Sequence, residues 1–225
     1  MKQRIKELAK RILTKGSNIK PNPKDYSTTI ATGSVVPCQI EAYFLALNKY
    51  VDEKSIVLDV GFGLGYGLNI LAIKAKEMYG VDVDEKTYQY CQNTVVGRNP
   101  RLKKISLYDG YSLDYPDSYF DVLTCVDVIE HVEDYDKLIK EMLRVSKKGI
   151  FLSTPNRRPE YTNLDGTPKN YWHLREWSFE EFDEIIQKHG KVDWNFLNGL
   201  FEGPFTCSQI VQSNTLTLSP FIFKE

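Results

Sequence analysis

The chain has 225 residues and a mass of 26.0 kDa, with 29 basic against 30 acidic side chains and a pI near 6.3. That balance argues against a large electrostatic footprint for nucleic acid, and the length suits one α/β domain with short additions. Cys38, Cys91, Cys125 and Cys207 are widely spaced with no C-x-x-C pair, so neither a disulfide framework nor a metal site is expected.

Residues 1–15 predict a helix with Ile5, Leu8, Ala9, Ile12 and Leu13 on one stripe, flanked by Lys2, Arg4, Lys6, Lys10, Arg11 and Lys15. Such a helix either packs its stripe on the domain or a second subunit, or lies on an anionic membrane surface as a peripheral contact. A polar loop over 16–35 and a second helix over 38–50 complete an N-terminal extension, residues 1–50, ahead of a domain over 51–225. No secretory leader and no apolar run near eighteen residues are seen, so a cytoplasmic protein is expected.

Ile56-Val57-Leu58 reads as a buried parallel strand, and Asp59 then introduces Gly61, Gly63, Gly65 and Gly67 at every second position. Glycines there let the backbone turn sharply and approach a ligand with no Cβ in the way. A helix is predicted over 68–76, and a second strand, 78–84, contains Asp82 near its tip. An acid in that place accepts both hydroxyls of a ribose, so the chain is expected to bind a nucleoside-containing cofactor. The dinucleotide fingerprint G-x-G-x-x-G fits poorly, because Tyr66 or Leu68 falls where its third glycine belongs. An NAD-dependent dehydrogenase is therefore the remote reading.

Strands follow at 104–108, within 119–132, where the fourth strand runs into a loop, and at 149–156, with a helix over 138–145. Asp109-Gly110 lies after the third strand, Ile129-Glu130-His131 after the fourth, and Ser153-Thr154-Pro155-Asn156 ends the fifth. Beyond it, 157–170 is too long for an ordinary connection, and a lid-like insertion is expected at about 157–177. Ser178 with Glu181 forms a capping box for a further helix, and 192–197 and 206–211 predict two short closing strands. Residues 213–225 carry no assignment.

In these motifs, and in their order and spacing, residues 55–156 resemble the class I S-adenosylmethionine (SAM) methyltransferases. The resemblance implies a Rossmann-like, seven-stranded, mostly parallel sheet with one antiparallel strand and helices on both faces. It also implies SAM as cofactor and S-adenosylhomocysteine as product. Asp59, Gly61, Gly63 and Gly65 would then surround the methionine end, Asp82 the ribose, and Asp109 with Gly110 the adenine; Val83 and Asp127 complete the expected shell. Thr32-Gly33 with Val36-Pro37, and Tyr171 to Phe182, resemble the lead-in and His-x-x-Glu-Phe segments of a bacterial subfamily accompanying glycan, lipopolysaccharide and sugar-nucleotide biosynthesis. Ser34 and Val35 replace that lead-in's acid and arginine.

The expected reaction is methyl transfer to a small-molecule, sugar or glycan acceptor, at oxygen. A quinone-type or other aromatic acceptor is the alternative, and a non-catalytic SAM-binding scaffold the third reading. A hydroxyl acceptor needs a general base near neutral pH, which favours histidine. Of the three histidines, His131 at the carboxyl edge of the sheet and His173 after the lid are the catalytic candidates. His189, beside Gly190 at a helix end, reads as structural. Tyr161, Tyr171, Trp172 and Trp177 crowd the lid as platforms for a planar or sugar substrate, and Arg157, Arg158, Lys169 and Arg175 would suit a phosphorylated one.

Overall fold

The computed structural model describes residues 36–199 and 205–225. The basic helix expected over 1–15 and Thr32-Gly33 of the lead-in lie outside them. Pro37, whose missing N–H costs nothing at a first helical position, opens helix α1 (Pro37–Lys49). α1 buries Ala42, Tyr43, Phe44, Ala46 and Leu47. Strand β1 (Ile56–Val60) leads through the glycine loop to α2 (Tyr66–Leu71), which ends well before the predicted 76. Next come β2 (Glu77–Asp82), α3 (Glu85–Thr94), β3 (Leu102–Leu107), β4 (Phe120–Val126), α4 (Tyr135–Val145) and β5 (Ser146–Pro155). Helix α3 has no counterpart in the sequence reading. It is nearly all polar and buries only Thr87 and Cys91, so its signal lies in the cap, where Asp84 accepts from the Thr87 amide at 2.8 Å.

The five strands run parallel in the order β3-β2-β1-β4-β5. Alternate side chains of β1 enter different cores, as the two-residue pleat requires. Val57 joins Phe62, Leu68 and Leu71 on the α1–α2 face, and Leu58 and Val60 join Leu138, Met142 and Phe182 on the other.

After α5 (Phe179–Ile186), which starts at the expected Ser178–Glu181 capping box, the sheet closes with β6 (Val192–Asp193), β7 (Phe196–Asn198), β8 (Thr206–Ser208), β9 (Thr215–Leu218) and β10 (Phe221–Phe223). β9 and β10 form one strand broken at Ser219-Pro220 and run antiparallel to β5: Leu218 faces Thr154, and Phe221 faces Phe151. β6 and β7 pair antiparallel with β10 and β9 from the other side. Ten segments thus arise from seven strands, two of them broken once, plus the edge segment β8. The closing antiparallel strand is therefore 215–223 rather than the predicted 206–211. Pro220 disguises it, since a proline inside an apolar run argues against a continuous strand. No helix among the described residues is long and apolar enough to cross a membrane.

Candidate active site

The carboxyl ends of the parallel strands open onto a cleft of about 600 Å³. Gly61 and Gly63 form its near wall with φ of 75° and 48°, and Gly65, at the head of α2, has φ 74°; all three lie in the left-handed region that glycine enters without strain. A Cβ at Gly61 would lie 2.5 Å from Val128 Cγ2, whereas one at Gly63 would meet nothing within 4 Å, so Gly63 faces open space. The loop is tied to the tip of β2: the Gly61 amide donates to the Val81 carbonyl at 2.8 Å and the Gly63 amide to Asp82 Oδ2 at 2.9 Å. The Asp84 amide donates to Asp82 Oδ1 at 3.0 Å, which fixes that carboxylate at the rim. Burial raises the Asp82 pKa, and these two amides oppose the rise.

Asp109 lies across the cleft, where its Oδ1 accepts from the Tyr111 and Ser112 amides at 2.8 and 2.6 Å. The turn so formed holds Gly110 toward Val83, and Asp109, Gly110 and Val83 all line the cleft. Asp127 closes β4 in a left-handed conformation, φ 52°, rare for a residue with a side chain. Its Oδ1 accepts from the Ser153 hydroxyl at 2.5 Å, and Gln39 of α1 binds the same carboxylate. Asp59 and Gly65 do not line the cleft. Gly65 caps α2, and Asp59 lies fully buried behind the loop. Asp59 accepts from the Thr124 hydroxyl at 2.7 Å, and the Tyr43 hydroxyl lies 3.1 Å from both its oxygens. Sequence reasoning did not reveal Gln39 and Tyr43, because α1 carries no motif; the hydroxyl of Tyr66, at the head of α2, donates to Gln39.

Burial lifts the Asp59 pKa from 3.8 to about 7. A carboxyl raised in the folded state binds its proton more tightly there than when unfolded. Its contribution is therefore favourable at low pH and is lost as pH rises from about 4 through 7. Urea unfolding at pH 5 and pH 8 is expected to show wild type losing a few kcal/mol more stability than Asp59→Asn across that interval, on the order of magnitude linkage allows. Equal pH dependence in the two proteins would refute the assignment.

At the far end of the cleft the turn after β4 meets the segment from 170. His131 Nδ1 lies 2.7 Å from the Trp172 carbonyl, the Leu174 amide donates to the Glu130 carbonyl at 3.0 Å, and Arg175 donates to the Val132 and Glu133 carbonyls. The second half of the expected lid is thus stitched to the sheet edge, and His131 and His173 meet edge to face with ring centroids 4.9 Å apart. Burial lowers the His131 pKa and favours its neutral form. Ligating atoms of Glu130, His131 and His173 lie within 4.8 Å of one another, a spacing that could hold an ion. His173, however, has both ring nitrogens in hydrogen-bond contact, Nδ1 with Glu176 and Nε2 with Asn170.

The aromatic and basic platforms divide. Trp172 lines the cleft and Tyr171 is 82% exposed, but Trp177 is a core residue stacked on Phe182. Arg157 pairs with Glu181, Arg158 with Glu160, and Lys169 binds the Glu160 carbonyl. Neither these three nor Arg175 line the cleft; its carboxyl lining among the described residues is Asp82, Asp84, Asp109, Asp127, Glu130 and Glu133, beside the two histidines, and burial raises the pKa of Asp127 and Glu130. His189 lies elsewhere, with Nε2 3.1 Å from Asp136.

A glycine wall without side chains, an acid held by two amides at the tip of β2 and a turn after β3 fit a nucleoside cofactor. Residues 58–153 match the family described as a methyltransferase domain. A protein of Mycobacterium tuberculosis named as a probable S-adenosylmethionine-dependent methyltransferase is 33% identical over 199 residues, covering 81% of this chain and 70% of that one. A ubiquinone biosynthesis O-methyltransferase of Nitrosomonas europaea is 31% identical over 126 residues, 52% of each chain. Among solved structures, the YcgJ protein of Bacillus subtilis superposes with a TM-score of 0.61 at 17% identity, covering 80% of this chain and 95% of that one. The chain belongs to the class I SAM-dependent methyltransferases, with SAM as its methyl donor.

Proposed function

We propose that the chain methylates a hydroxyl oxygen of a small neutral acceptor, a sugar or glycan unit, with His131 and His173 at the acceptor end. The observation that carries this reading is the histidine pair set on a cleft whose described lining holds acids and no lysine or arginine. A hydroxyl requires a base as its oxygen becomes a nucleophile, and the donor brings an already electrophilic carbon, so the protein must align the two and remove one proton. An acidic cleft disfavours phosphorylated acceptors, because each phosphate would be brought toward like charge. A second reading, a phenolic or quinone-type acceptor, is supported by the likeness to the Nitrosomonas enzyme and by Trp172, an aromatic face on the cleft.

The test is transfer of labelled methyl from SAM to matched panels of neutral sugars, glycolipids, phenols and sugar phosphates. Turnover on neutral sugars is expected, and His173→Ala should lower it at least tenfold, since a general base contributes roughly 100-fold or more, with S-adenosylhomocysteine affinity unchanged. Turnover confined to phenols would select the second reading. Exclusive use of phosphorylated acceptors would refute the neutral-acceptor argument, and tight cofactor binding with no turnover on any panel would leave a scaffold.

A further inference from the structure

We propose that Glu176 is a positioning residue that fixes the tautomer and orientation of His173; the inference rests on the reading that His173 takes the acceptor proton. Glu176 is 7% exposed, and its Oε1 lies 2.5 Å from His173 Nδ1. Its other oxygen is buried without a partner. A carboxylate accepts and does not donate, so the contact places the ring proton on Nδ1 and leaves Nε2 with its lone pair. The second contact of the ring agrees: the Asn170 side-chain nitrogen, a donor, lies 2.8 Å from Nε2. Asn170 is exposed and lines the cleft, so an acceptor hydroxyl can take its place at Nε2.

Glu176 is held from both sides. Arg175 is bound to the turn after β4, and Trp177 is packed on Phe182, with its carbonyl accepting from the Arg157 amide at 2.8 Å. The carboxylate therefore cannot follow the imidazole if the ring turns. In the step, the acceptor O–H proton passes to Nε2, a new O–C bond forms, and the C–S bond breaks with its pair left on sulfur. The ring becomes an imidazolium whose Nδ1–H remains on Glu176, the arrangement in which a carboxylate orients a catalytic histidine and stabilises its cation.

Long-range proton–nitrogen spectra of the protein with S-adenosylhomocysteine, with His173 assigned by comparison with His173→Ala, are expected to show the Nδ1–H tautomer. Glu176→Gln should lose its dominance, and Glu176→Asp should keep it. On an acceptor found in the panels, Glu176→Gln should lower kcat about 100-fold, within the range of general-base effects. KM and S-adenosylhomocysteine affinity should stay within twofold, and Glu176→Asp should recover part of the rate.

An Nε2–H tautomer in wild type would overturn the proposal. So would Glu176→Gln turning over within threefold of wild type while His173→Ala is impaired. Full activity of His173→Ala would overturn the base reading itself, a distinct result. Loss of activity on dialysis against EDTA, restored by Zn2+ or Mn2+, would assign Nε2 to a metal and also overturn the proposal.

Discussion

Asp82→Ala is expected to weaken S-adenosylhomocysteine binding at least 100-fold with the fold intact. The carboxylate sits at the tip of β2, 7% exposed, and is already aimed by the Gly63 and Asp84 amides. It can therefore meet two ribose hydroxyls without a further loss of rotamer freedom. Hydrogen bonds to a charged group contribute roughly 1.5–3 kcal/mol each, and two of them give about 3–6 kcal/mol, or more than two decades in affinity. Removing the carboxylate also frees the Gly63 amide, so the loop that should cradle the methionine end loses its tie to β2. Asp82→Asn keeps an acceptor for one hydroxyl and should fall between the two. Calorimetry at pH 7.5, with circular dichroism as the fold control, reads the effect. A loss smaller than fivefold would mean that the ribose is held elsewhere and that the acid of β2 serves only the loop.

The parallel half of the fold was legible because its signals are local. β1 and β4 are apolar runs buried on both faces, and Gly61, Gly63 and Gly65 occupy left-handed positions that few other residues tolerate. What escaped depends on distant partners. α3 is polar and is held by its Asp84 cap, and 215–223 becomes a strand only because β5 presents two successive edges to it on either side of Pro220. Trp177 could not be told from a substrate platform by composition, since its burial depends on Phe182 in the next helix.

The site shows the same division. Asp82, Asp109 and Gly110 stand at strand ends, where chain order alone places them on the cleft. Asp59 belongs to the same motif, yet the strand pleat turns it inward beneath the loop. Gln39 and Tyr43 reach the site from a helix with no motif at all. Glu176 could be read as part of a family-like segment, but its contact with His173 depends on how 170–177 is fastened to Glu130 and Val132.

The inward turn of Asp59 makes Gly67 the position where the smallest substitution should do the greatest damage. Gly67 lies in the first turn of α2, and alanine in a helix is ordinarily better than glycine by about 1 kcal/mol. Here a Cβ would sit 2.3 Å from Tyr43 Cζ and 2.6 Å from Asp59 Oδ2. Neither neighbour has room to retreat. Tyr43 is 3% exposed and packs edge-on to Tyr66, and Asp59 is fully buried between Tyr43 and Thr124. To admit one methyl group, the tyrosine must leave Asp59, or α2 must lift from β1 and carry the glycine loop with it. Overpacking costs about 1–3 kcal/mol, and a buried carboxyl losing a partner adds about 1–3 kcal/mol, which together outweigh the helix propensity gained. Gly67→Ala should therefore lower the melting temperature by about 10 °C, at roughly 2–4 °C per kcal/mol for a chain of this size. S-adenosylhomocysteine affinity should fall at least tenfold, because the displaced element is the cofactor loop. Tyr43→Leu, which removes the ring that the methyl strikes, should return part of the affinity in the double variant even though it costs stability alone. A Gly67→Ala protein melting within 2 °C of wild type would show that α2 can shift freely on β1. The cradle would then be a flexible loop rather than one braced by Tyr43 and Asp59.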